Sequence, residues 1–126
     1  MSKQALSTSD APAPIGVYSQ GIQSNGFIFT SGQIPLTKEG VLIKNDFKAE
    51  SLQVIQNIEA ILKKGGSKLS DIVKLTVYLT DLSLFPELNK IFEQRIIGIL
   101  PARSVVEVSR LPMNVRIEME AIALKK

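Results

Sequence analysis

The sequence predicts an α+β fold: one mixed sheet with two helices on one face, in the order ββαβαββ. Two observations carry that expectation. Two segments repeat apolar residues at spacings of three and four, the signature of amphipathic helices. Between and around them, short segments rich in β-branched residues alternate apolar with polar, the signature of half-buried strands.

GVYSQGIQ (16–23) reads as a strand or extended segment, and FIFTSGQIP (27–35) as its returning partner. The Asn25-Gly26 pair between them suits a tight hairpin turn. Leu52, Ile55, Ile58, Ile61 and Leu62 predict a helix over about 47–64, with Asp46 as N-cap and Gly65-Gly66 as stop. IVKLTVYLT (72–80) alternates strictly and is a strand. A second helix is expected from about Ser83 to Ile97, with Phe85, Leu88, Ile91, Phe92 and Ile96 as its stripe and Pro86 in its first turn. ARSVVEVS (102–109) and VRIEMEAIAL (115–124) are two further strands joined by RLPMN. No repeat or linker divides the chain, so 1–126 is expected to form one domain, with 1–14 an irregular surface segment.

Alternation assigns faces. Val73, Leu75, Val77 and Leu79 share one side of their strand; Ser104, Val106 and Val108, and then Ile117, Met119, Ala121 and Ala123, form the apolar sides of the other two. The helices cover one face only. The second face should gather Lys74, Thr76, Tyr78, Arg103, Val105, Glu107, Arg116, Glu118, Glu120 and Ile122. Such a face can simply be wet. The aliphatic Val105 and Ile122 favour a self-associating surface, and closed symmetric homo-oligomers are the common outcome.

Composition narrows the chemistry. The chain has no cysteine and no histidine. That removes thiolate metal sites, the commonest metal ligand, a cysteine nucleophile and the Ser-His-Asp triad. An enzyme of this composition moves protons with Asp, Glu, Lys, Tyr or water. A net charge of +3 from scattered lysines and arginines is no nucleic-acid footprint. No apolar run approaches the ~20 residues of a membrane helix. The N-terminus lacks an apolar signal core, so the expected location is the cytoplasm.

Three sets of residues are candidates for chemistry. The Arg103 fork can bind a carboxylate bidentately; alternatively it is a solvated arginine or a partner of Glu107 or Glu118. Glu118 and Glu120 stand two apart on one side of a strand, where a carboxylate could activate water or merely pair across strands. Tyr18, Ser31 and Asn89 could orient a small polar ligand, although lone residues of these types are usually structural. Ser31-Gly32 more often marks a strand irregularity, and no histidine exists to make Ser31 a nucleophile.

The motifs IGVYSQG (15–21), FTSGQIP (29–35), VKLTVYLTDL (73–82), PARSVVEV (101–108) and IEMEAIA (117–123) occur in one order over nearly the whole chain. In that order the sequence resembles the reactive-intermediate imine deaminase family (RidA, also YjgF). The resemblance implies a fold like the homotrimeric, bacillus-type chorismate mutase, with a ligand cleft at each subunit interface. It implies metal- and cofactor-free hydrolysis of 2-imino acids, such as 2-aminoacrylate, 2-iminopropanoate and 2-iminobutanoate, to 2-oxo acids and ammonia. It places Arg103 on the substrate carboxylate and Glu118, not Glu120, beside the attacking water. Tyr18, Ser31, Gly32, Asn89 and Val105 would line the site.

Val17 and Val105 stand where many members carry proline and cysteine, and the stretch before Pro101 is short. Competing functions are a non-catalytic trimer that binds or senses 2-oxo acids and a ribonuclease or translation inhibitor. The missing histidine, basic stripe and aromatic stacking motif speak against the latter. Geometry stays open: in a simple hairpin of the last two strands, Arg103 and Glu118 would lie ~13 Å apart along the strand. A different pairing, or a neighbouring subunit, would then be required.

Overall fold

The computed structural model describes residues 2–126. Strands β1 (Gln4–Leu6), β2 (Gly21–Ser24), β3 (Phe27–Thr30), β4 (Ile72–Leu79), β5 (Ala102–Glu107) and β6 (Ile117–Leu124) form one sheet in the order β1-β2-β3-β6-β4-β5. All pairs are antiparallel except β4 and β5, which are parallel. Helix α1 (Phe47–Lys64) lies between β3 and β4 in sequence, and α2 (Phe85–Arg95) between β4 and β5. The expected mixed sheet with two helices is the observed architecture.

Local chemistry explains the best-matched elements. The Asp46 side chain accepts a hydrogen bond from Ala49 N–H and caps α1, and the Gly65 N–H returns to Leu62 and Lys63 at the other end. Asn25 and Gly26 both take positive φ, as a two-residue hairpin turn demands, and β2 pairs with β3 in the register that turn sets. Ile55, Ile58, Ile61 and Leu62 of α1 are buried, as are Leu88, Ile91 and Phe92 of α2. Most of these join Leu75, Val77, Leu79, Ile117, Met119 and Ala121 in the main core. No helix among the described residues is long and apolar enough to cross a membrane.

Four expectations need correction. Within residues 2–14 the expected irregular surface segment holds only in part. Gln4–Leu6 pairs with β2, and Leu6 and Ala11 are buried. The buried Gln20 side chain holds this segment: it accepts from Thr8 N–H (2.7 Å) and donates to the Pro12 carbonyl (2.8 Å). Secondly, the strands read at 16–23 and 27–35 are shorter. Residues 16–20 bend, and the chain leaves the β3–β6 ladder at Ser31. There the Thr30 hydroxyl accepts from Ala121 N–H. Thirdly, an irregularity between Ile72 and Lys74 puts Ile72 in the core and leaves Val73 exposed.

The fourth correction decides the site. β5 and β6 do not pair with each other; β4 lies between them. Arg103 is in register with Leu75, and Val105 with Val77, both buried under the helices. Arg103, Val105 and Glu107 therefore stand on the helix face, not with Glu118. Glu118 is in register with Tyr78, on the opposite face. Arg116 also leaves that face: it pairs with the buried Glu50 at the start of α1.

Candidate active site

The structure separates the candidate residues into two half-sites on opposite faces of the sheet. In the first, Tyr18, Ser31, Gly32 and Glu118 line a cavity of about 340 Å³ together with Ile15, Ile34 and Pro112. In the second, Arg103 and Asn89 line one of about 300 Å³ with Phe92, Glu93, Ile96 and Leu100 among their neighbours.

The glutamate half-site is held by backbone. Where β3 ends, Gln33 exchanges both backbone hydrogen bonds with Met119 (2.8 and 3.1 Å), which pins Ser31-Gly32 beside Glu118. From the helix side the buried Asn57 donates to the carbonyls of Ile34 and Leu36 and fixes the next residues of the loop. Gly32 leaves room for the carboxylate: a Cβ there would stand 1.9 Å from Glu118 Oε2 and displace it. The Ser31 hydroxyl donates to the Ser19 carbonyl (2.5 Å), so it faces no base. The half-exposed Tyr18 accepts through its phenol oxygen from Ile15 N–H (3.1 Å), folding residues 15–18 over the cavity mouth. Pro112 enters from the β5–β6 connection, where Met113 and Asn114 both adopt the left-handed conformation.

Glu118 is half-buried and its carboxyl is held above the usual glutamate range, chiefly by burial and then by the Glu120 charge. Glu120 itself accepts a hydrogen bond from the Tyr78 hydroxyl. Tyr78 answers in kind: that bond, burial and the two carboxylates push its phenol up. A half-buried carboxyl with a raised pKa and a hydroxyl and phenol nearby is suited to passing protons.

The arginine half-site is built from aromatic surfaces. The Arg103 guanidinium carbon lies 5.2 Å from the ring centroids of both Phe85 and Phe92 of α2. Two rings hold the fork in place without consuming its N–H donors. Among the described residues Arg103 makes no ion pair. The alternative partnership with Glu107 is not formed; Glu107 instead accepts from Leu82 N–H (2.9 Å). Asn89, half-buried on α2, adds an amide to the cavity wall. Val105 lies two residues beyond Arg103 on the same face, packed half-buried against the main core and not at the cavity wall.

Sequence reasoning missed Phe85 and Phe92 as arginine holders, because both read as ordinary core stripe. It also missed Ile15, Ile34, Pro112 and Leu100. The motif blocks IGVYSQG, FTSGQIP and PARSVVEV carry or adjoin most of them, which was the available signal. No cluster of three or more metal-ligating side chains occurs among the described residues.

A family model described as Endoribonuclease L-PSP matches residues 8–125. The chain is 50% identical to a RutC family protein of Pyrococcus abyssi, over the full length of both. It is 42% identical, again over both full lengths, to the 2-iminobutanoate/2-iminopropanoate deaminase of Salmonella typhimurium. The chain belongs to the RidA/YjgF family. Among solved structures of this family, Escherichia coli TdcF with bound serine superposes with a TM-score of 0.90 at 36% identity, covering 98% of this chain and 99% of that one. RidA/YjgF membership thus agrees with the motif order, and the relatives include named imine deaminases.

Proposed function

We propose that this protein hydrolyses reactive 2-imino acids, of the 2-iminopropanoate and 2-iminobutanoate type, to 2-oxo acids and ammonia. The site would be composite, formed where the arginine half of one subunit meets the glutamate half of the next in a cytoplasmic homotrimer. The observation that carries this reading is the separation itself. Arg103 and Glu118 supply complementary chemistry from opposite faces of one sheet, and each cavity is open on its outer side. Neither half is a reaction centre alone. The exposed apolar residues beside them, Ile15 and Val17 on one and Ile97, Ile99 and Leu100 on the other, are surfaces a neighbouring subunit would cover.

The chemistry follows from the groups. Arg103 takes the substrate carboxylate through two charge-assisted hydrogen bonds. Asn89 and the hydrocarbon wall orient the rest. Glu118 of the partner subunit, as carboxylate, accepts a proton from water while the water oxygen bonds to C2. The C=N electron pair moves to nitrogen, which takes that proton back from Glu118 and returns Glu118 to the carboxylate form. In the resulting carbinolamine, Glu118 relays the hydroxyl proton to nitrogen. The C–N bond breaks, ammonia leaves, and C2 becomes a carbonyl. An imine is already electrophilic, so positioning and one proton relay suffice. Ser31 and Tyr18 are assigned to orienting water and substrate, and Val105 to shaping the cleft from behind Arg103.

The test is release of ammonia or 2-oxo acid from 2-aminoacrylate, generated in situ by a serine/threonine dehydratase, with wild type beside Arg103→Ala. Acceleration by wild type alone supports the reading. No acceleration by a folded wild-type oligomer would favour a 2-oxo acid sensor. Copurifying RNA cleavage that survives Glu118→Gln would favour the ribonuclease reading attached to the family description.

A further inference from the structure

Glu93 stands one helical turn beyond Asn89 on α2 and lines the same cavity as Arg103. It is exposed, and among the described residues it makes no ion pair, so it does not neutralise the guanidinium. The other walls there are Phe92, Ile96, Leu100 and Pro101, all hydrocarbon, with the Asn89 amide. The glutamate half-site adds a carboxyl and a phenol but no lysine or arginine. Among the described residues the two half-sites together therefore hold one fixed cation. Once a ligand's 1-carboxylate occupies it, a second carboxylate on the same ligand meets acidic groups and hydrocarbon, with no cation left to pair with.

We propose that Glu93 is a specificity-determining residue that filters ligands by charge. The site takes monocarboxylic 2-imino and 2-oxo acids with uncharged hydrocarbon side chains and turns away dicarboxylic ones. The inference rests on Arg103 as the carboxylate anchor and deepens the proposed function by naming the residue that restricts its substrates. Like-charge juxtaposition is the physical means. At an exposed position it is screened by salt, so its size depends on ionic strength.

The test is calorimetric titration of the full-length protein with 2-oxobutanoate and with 2-oxoglutarate. Wild type, Glu93→Gln and Glu93→Lys are compared at low and at physiological salt. The expected result is a wild-type preference for 2-oxobutanoate of about tenfold or more. Glu93→Gln should narrow that ratio by roughly three- to tenfold, and Glu93→Lys should narrow it further. Added salt should shrink the ratio in wild type more than in Glu93→Gln. An unchanged ratio in both variants, each shown by thermal melting to be folded, would overturn the proposal. So would wild-type binding of 2-oxoglutarate as tight as that of 2-oxobutanoate, or of neither acid. Imine turnover is read separately: its absence with the ratio behaving as expected would end the deaminase reading and leave the filter standing.

Discussion

Arg103 stands on β5, an edge strand, on the face the helices cover; Glu118 stands on β6, between β3 and β4, on the face they leave open. The arginine is positioned by side chains, the rings of Phe85 and Phe92, with hydrocarbon and solvent around it. The glutamate is positioned by backbone: the Gln33–Met119 bridge, the bare Gly32 Cα and the ladder of a central strand. The difference matches the tasks. A carboxylate anchor must stay charged when partly covered, which a guanidinium does. A proton relay must be partly desolvated and fixed to within a fraction of an ångström, which a central strand provides.

The comparison breaks most sharply at the two charged groups. Arg103→Ala should lower kcat/KM at least about a hundredfold and abolish 2-oxo acid binding, and Arg103→Lys should do nearly the same because lysine lacks the fork. Glu118→Gln should cost about 10²–10⁴ in kcat while 2-oxo acid binding persists. Steady-state kinetics and calorimetry on the same preparations would separate anchor from relay. Gly32→Ala comes next. Its methyl group would occupy the Glu118 carboxylate's position, so kcat should fall by roughly ten- to a hundredfold with the Arg103 half untouched.

Smaller effects sharpen the contrast. Phe85→Leu removes one of two rings against Arg103 and should raise KM by about fivefold, with kcat little changed. The pH dependence concerns Glu118 alone. It must be ionised to take the water proton, so the acidic limb of kcat/KM should lie above the ordinary glutamate range. Glu120→Gln should move the limb down, by less than burial raises it, since burial is the larger cause. The sign for stability is opposite to that of a salt-bridged acid. A carboxyl whose folded pKa is raised contributes fully below its unfolded pKa, and the contribution is lost as pH rises through the folded one. At pH 7, therefore, Glu118→Gln should slightly raise the melting temperature while destroying turnover.

Most of the architecture was legible because it rests on local patterns. The α1 boundaries followed from Asp46, the apolar stripe and Gly65, and the Asn25-Gly26 turn fixed the first hairpin. The alternation of β6 identified Ile117, Met119 and Ala121 as core and Glu118 and Glu120 as the other face. What alternation could not give was the polarity of β5. ARSVVE is weakly apolar on both sides, and a parallel neighbour reached over a helix, not a hairpin, decides which side is buried. That one ambiguity put Arg103 on the wrong face. Tyr18 and Ser31 were mistaken for strand residues because the bend at 16–20 depends on Gln20 and the N-terminal segment, contacts remote in sequence.

The central claim is that the arginine and the glutamate of one site come from different chains. It is tested by mixing two inactive variants, Arg103→Ala and Glu118→Gln, by co-expression or by unfolding and refolding together, and then measuring 2-aminoacrylate hydrolysis. Random assembly into closed rings should restore roughly a quarter of wild-type turnover, because an interface with an intact Arg103 on one side and an intact Glu118 on the other forms at that frequency. Mixed oligomers that assemble normally yet stay as inactive as their parents would contradict a shared site and return the chemistry to a single chain.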